Sequence, residues 1–227
     1  MTAKGDVVAA TAESVLVRLR ELADPAEFEK IAKRVDPSQV IGVRMKYQFD
    51  LARAESAMEL TEVRELLRSP WYEARMVAVS ILDARARRSS PDSDERRKLY
   101  EMYLQEHNHI DTWDLIDRAA PHVIGEYLLL RSRAVLFALA GSDNQWERRT
   151  AVTAAFWIIR AGDLDDPIAL VDVLLDDDER FVQTSVGVAL REIGRVDRAR
   201  RDDYLARNRH RVSPVTRRLM NERPATK

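Results

Sequence analysis

Four stretches of this sequence line up with one another at intervals of about 36 residues, and a repeat of that length restricts the fold more than any other feature. They are LLRSPWYEARMVAVSIL from Leu66, MYLQEHNHIDTWDLIDRAA from Met102, FALAGSDNQWERRTAVTAAFWI from Phe137 and VLLDDDERFVQTSVGVALREI from Val173. In each, the end of one helix runs through a polar turn into a longer helix whose early part carries charge or an aromatic. One such unit cannot bury its apolar face alone, so successive units must stack. The fold class expected is all-α, an α-solenoid or superhelix of HEAT-like helix pairs, whose concave face presents the second helix of each pair.

The rest of the chain agrees with this. Apolar residues recur at helical spacing nearly throughout, with short polar stops such as Asp24-Pro25, Asp36-Pro37 and Ser89-Ser90-Pro91-Asp92. Helices are expected over 11–23, in a short second segment to about 35, and over 45–55, 59–68 and 70–87, the last opened by Ser69 as N-cap with Pro70 at its first position. Further helices follow at 92–106, 112–120, 122–130, 131–141, 145–161, 167–175, 179–194, 198–208 and 213–222. Seven Gly and eight Pro in 227 residues are too few for a turn-dense β fold. A single domain over 1–227 is expected, with 1–10 and 223–227 as disordered tails.

With no cysteine, disulfides, thiolate zinc, iron–sulfur clusters and a cysteine nucleophile are excluded. No stretch reaches the roughly 18 apolar residues of a membrane span, and the N-terminus lacks an apolar signal region, so a cytoplasmic location is expected. The phosphate-loop, dinucleotide and nucleophile-elbow motifs are missing too. His107, His109 and Asp111 form an H-x-H-x-D string, but in a loop before a helix they lack the one-face geometry of a metal site. No metal and no cofactor is expected.

The formal net charge of −1 hides blocks. Residues 191–223 hold eleven Arg against five acids, whereas 161–180 hold seven Asp and Glu179 against Arg180. On that count the basic stretch is either a solvated face or a candidate phosphate-binding surface.

Within TWDLID, Leu115 and Ile116 turn inward and leave Trp113 and Asp117 four apart on one helical face. An aromatic plane beside a carboxylate suits a cation: the ring face attracts positive charge, and at ~4 Å a carboxylate contributes about 4 kcal/mol at an effective dielectric of ~20; a core Trp beside a solvated Asp is the other reading of the same spacing. In WERRTAV, Arg148 and Arg149 open a helix, where phosphate binding is one use and ion pairing with Glu147 or the acidic 163–179 block the other. Gly187, inside the helix FVQTSVGVALRE, points to close approach of another backbone or a ligand. Trp146 sits early on the arginine helix and Trp157 reads as core.

Taken in order, Gly42-Val43-Arg44, SPWYEARMVAVSIL, TWDLID, WERRTAV and FVQTSVGVALRE resemble the DNA alkylation repair family of HEAT-like-repeat DNA glycosylases, from about residue 12 to 222. The resemblance implies removal of N3- and N7-alkylated purines from double-stranded DNA held on the concave surface without base flipping, by a monomer. It implies that Asp117 is the catalytic carboxylate, Trp113 an aromatic beside the lesion and Arg149 a contact to the DNA backbone. Arg148, Arg191, Arg217 and Arg218 then join the DNA track. Val188 departs from the family, standing where the well-studied enzymes have a second Trp, and Thr184 stands where relatives often carry a basic residue. Loss of one aromatic wall forfeits about 1–3 kcal/mol of stacking, or about tenfold or more in rate. A DNA-binding relative that excises nothing, or a protein-binding scaffold, are the other two readings of the sequence.

Overall fold

The computed structural model describes residues 10–90 and 92–221. Among these it contains thirteen α-helices and no strand, the all-helical, α-solenoid type of fold expected. The tails expected at 1–10 and 223–227 lie, apart from residue 10, outside the described residues. No helix among the described residues is long and apolar enough to cross a membrane. Two compact units emerge: one runs to Arg88 and includes Leu104–Ile110, and the other comprises Ser89–Tyr103 and the chain from Asp111 on.

The first unit is organised around α5 (Tyr72–Ala86), which buries residues on every side. Packed on it are α1 (Ala12–Glu21), α3 (Met45–Ala54) and α4 (Leu60–Leu67), while α2 (Pro25–Ile31) follows an Asp24 cap with Pro25 at its first turn. α5 starts at Tyr72, later than the Ser69-Pro70 signal suggested. The Ser69 hydroxyl accepts the N–H of Trp71 at 3.2 Å and so closes a local turn before the helix instead of capping it.

Glu73 is wholly buried in this unit. Its carboxylate accepts the backbone N–H groups of Ile41 (3.0 Å), Gly42 (2.8 Å) and Val43 (3.3 Å). Gly42 has φ of +96°, and a Cβ there would stand 2.9 Å from both the Asp24 carbonyl oxygen and Phe28 Cβ. The glycine and the buried acid together explain the Gly42-Val43-Arg44 motif as a rigid turn.

The second unit holds most of α6 (Asp94–Gln105), then α7 (Trp113–Ala120), which runs directly into a π-helical turn over Pro121–Glu126. After that come α8 (Ala134–Ala140), α9 (Gln145–Arg160), α10 (Asp165–Leu174), α11 (Arg180–Val196), α12 (Arg198–Asn208) and α13 (Pro214–Asn221). α9 packs on α7, α8, α10 and α11, and α11 packs on α9, α10, α12 and α13. The two long helices are therefore the spine of the stack. The helix expected over 131–141 begins only at Ala134. Arginine side chains hold the preceding carbonyls, Arg131 donating to Tyr127 O at 2.7 Å and Arg133 to Leu129 O at 2.9 Å, which ends the π-helical turn in a loop.

Polar contacts join residues about one repeat apart. Thr153 and Ser185 share a buried hydrogen bond across 32 positions, and Arg75 donates to Gln39 across 36 in the first unit. Equivalent faces of consecutive repeats meet, as stacking requires.

Candidate functional site

α7 sets up the site. Thr112 adopts an extended N-cap conformation, and its hydroxyl donates to Asp114 at 2.7 Å, while Asp114 also accepts the Leu115 N–H at 3.1 Å. Leu115, Ile116, Ala119 and Ala120 are buried, which turns Trp113 and Asp117 outward. Trp113 retains 38% exposure.

One repeat further on, Arg149 reaches back from the first turns of α9 to Asp117. Its Nη2 donates to both carboxylate oxygens at 2.8 Å, and Nε donates to Oδ1 at 3.3 Å. Nη1 donates to the carbonyl of Phe181 and, at 3.0 Å, to the hydroxyl of Thr184, both at the start of α11. Every guanidinium nitrogen is thus engaged, and the arginine is only 6% exposed. Asp117 keeps 38% of its side chain accessible, so the pair is closed at the arginine and open at the acid.

Desolvation by the surrounding helices pushes the Asp117 carboxyl above the ordinary aspartate value, with Asp114 adding to it. The Arg149 guanidinium opposes that rise through its charge and its hydrogen bonds. Behind the pair lies Tyr103, fully buried, its phenol 3.3 Å from the Thr150 hydroxyl and pushed strongly upward by burial.

Aromatic surface borders the cluster. Phe181 is 39% exposed, and its ring lies 5.2 Å from that of Trp146, centroid to centroid, at 34°. Phe181 was not singled out from the sequence, and neither was Tyr103. Trp157 is half-buried against His122, the ring centroids 4.5 Å apart.

The remaining residues named from sequence fall in different places. Arg148 takes the ion-pair alternative: it grips Asp177 at 2.7 and 3.3 Å and donates to the carbonyls of Ser142 and Asp143. Val188 is half-buried one turn beyond Thr184 on α11. Arg191, one turn further, is 22% exposed at its side chain and lies 3.7 Å from Glu192. Arg217 and Arg218 are exposed on α13. Gly187 marks a backbone approach: a Cβ there would stand 2.8 Å from the Thr216 carbonyl oxygen and 2.7 Å from Leu219 Cβ.

The charge blocks close on each other. Arg200 pairs with Asp165, and Arg211 bridges Asp172 at 2.9 Å and Asp176 at 2.8 Å. Arg198 and Arg201 share Asp202, and Arg195 pairs with Glu192. This corrects the expectation of one basic field built on the whole 191–223 stretch, because acids of the preceding repeat hold Arg200 and Arg211 and acids within the stretch hold Arg195, Arg198 and Arg201. Arg207, Arg209 and Arg217 are exposed and have no carboxylate partner among the described residues.

Comparison with known proteins comes to the same place. A family model for the DNA alkylation repair enzyme matches residues 15–219. The fold is similar to that of a solved structure described as a predicted DNA alkylation repair enzyme from Enterococcus faecalis, at a TM-score of 0.66 and 16% identity, covering 90% of this chain and 98% of that one. No curated protein matches. With the model spanning nearly every helix described above, the chain belongs to the DNA alkylation repair enzyme family, which assigns it a role in DNA repair.

Proposed function

We propose that this protein is a monofunctional DNA glycosylase that releases N3- and N7-alkylated purines from duplex DNA. The observation that carries the reading is Asp117: a carboxylate open to solvent on one side, held by a buried arginine on the other, one helical turn after an exposed tryptophan. The whole chain is taken as one DNA-binding domain acting as a monomer in the cytoplasm.

The chemistry needs little more. An alkylated purine already carries a positive charge, so when the bond from C1′ to the base nitrogen breaks, the electron pair neutralises the leaving base. No general acid is required. The sugar becomes oxocarbenium-like, and Asp117 stabilises the developing charge and orients the water that adds to C1′. Its proton passes to Asp117 or solvent, leaving an abasic sugar and a free base. Trp113 offers a ring face to the cationic lesion or its sugar. As the family resemblance implies, the lesion is held at the protein surface and is not flipped into a pocket.

Arg149 takes a different part from the phosphate contact implied by resemblance. Buried and fully engaged, it orients Asp117. Contacts to the DNA backbone fall instead to exposed arginines such as Arg217 and Arg218, with Arg191 alongside Val188 on α11. The test is single-turnover release of alkylpurine from methylated duplex DNA by wild type and Asp117→Asn. Loss in the variant alone is expected; no release by wild type, or equal release by both, overturns the reading.

Val188 favours one alternative, a family member that binds DNA without excising a base. It predicts salt-dependent binding with no base release.

A further inference from the structure

Thr184 lies in the first turns of α11, and its hydroxyl has two engagements. It donates to the Phe181 carbonyl at 2.8 Å and accepts from Arg149 Nη1 at 3.0 Å. The same Phe181 carbonyl also accepts from Nη1. Carbonyl, hydroxyl and guanidinium therefore form a closed triangle at the first turns of α11. A guanidinium is a rigid plane, so fixing Nη1 at one end fixes the direction of Nε and Nη2 at the other. Those are the atoms that hold Asp117.

We propose that Thr184 is a positioning residue, which acts through Arg149 to set the orientation of the Asp117 carboxylate. A basic side chain at this position cannot accept from the guanidinium and repels it. A hydroxyl does the opposite: it supplies an acceptor and adds no charge, and among the described residues Asp117 is the ion-pair partner of Arg149. The proposal rests on the reading of Asp117 as the working carboxylate for its catalytic consequence, but not for its geometric one.

The charged and titratable groups around Asp117 are Arg149 from α9, Asp114 on its own helix and Tyr103 from α6. Thr184 itself does not titrate. Removing its hydroxyl therefore alters Asp117 only by loosening Arg149, and the sign is fixed: a weaker hold by the cation lets the carboxyl titrate at higher pH.

The experiment is a titration of Asp117 by carboxylate carbon NMR in wild type, Thr184→Val and Thr184→Ser, with base release from methylated duplex measured across pH in the same three proteins. Valine keeps the shape of threonine, and Thr184 is only part-buried, so folding is checked by circular dichroism and thermal melting. For Thr184→Val the Asp117 midpoint is expected to rise by about 0.5–1 pH unit, a fraction of what a close arginine supplies. Base release is expected to fall about tenfold, with its acid limb displaced upward in parallel. Thr184→Ser is expected to restore both. An unchanged Asp117 midpoint in folded Thr184→Val overturns the proposal, as does failure of serine to restore it. If the midpoint moves and serine restores it while no protein releases base, the positioning role stands and the glycosylase reading falls.

Discussion

A single nitrogen of Arg149, Nη2, lies 2.8 Å from each carboxylate oxygen of Asp117. A cation placed symmetrically between two oxygens controls both where the acid points and how readily it ionises. Replacing Arg149 by Met keeps the stem and removes the charge. Base release is expected to fall by about 10²-fold, with the acid limb of its pH profile moved upward. An Arg149→Met protein with an undisplaced limb would show that the pair is structural only.

The raised Asp117 pKa carries a sign for rate and a sign for stability. On the proposed mechanism base release needs the ionised acid, so it is expected to rise with pH through a midpoint above 3.8 and then level off. For folding, an aspartate whose native pKa is raised contributes stability below its unfolded value and loses it as pH rises through the native value. The stability of wild type relative to Asp117→Asn is therefore expected to decline from acid pH towards neutrality. Urea melts of both proteins at several pH values measure it, and a rising difference would contradict the assignment.

Gly187 seats α13 on α11. In Gly187→Ala the new methyl would stand 2.7 Å from Leu219 Cβ and 2.8 Å from the Thr216 carbonyl oxygen, and the backbone atom cannot give way cheaply. A loss of about 1–3 kcal/mol is expected in chemical denaturation. Retention of full stability would mean that α13 is not seated as described.

The Glu73 carboxylate accepts all three backbone donors of Ile41, Gly42 and Val43 named above. Glu73→Ala strands those N–H groups in the interior and is expected to cost about 3 kcal/mol or more. Glu73→Gln, which keeps an acceptor, is expected to cost less. Equal losses would place the effect in packing rather than in the hydrogen bonds.

Arginines in and out of ion pairs should separate in DNA binding. Arg217→Ala is expected to weaken duplex binding and to reduce the slope of log affinity against log salt by about 1. Arg211→Ala removes a guanidinium already held by Asp172 and Asp176, and the slope is expected to stay unchanged. Fluorescence anisotropy over a salt series distinguishes them.

The helical stack and the outward face of α7 were legible in sequence because both follow from local periodicity. Trp113 and Asp117 share a face by spacing alone. The partner of Asp117 was harder to see, since Arg149 lies 32 positions away and only the repeat register relates the two. Phe181 contributes through a backbone carbonyl, for which no residue type is a signature. Counting charges along the chain misjudged the basic stretch for the same reason: Arg200 and Arg211 meet acids 35 positions earlier, a distance no local count crosses.

Closure of the acidic stretch over these arginines has a consequence for how the protein can change. Each paired arginine is a latent contact for a polyanion, restrained by a nearby aspartate. Exchanging Asp165 for asparagine creates no new basic residue, yet it frees Arg200, already in place. Attraction to nucleic acid can therefore be adjusted in single steps, by substitutions on the acidic side that leave the helices and the Asp117 pair untouched.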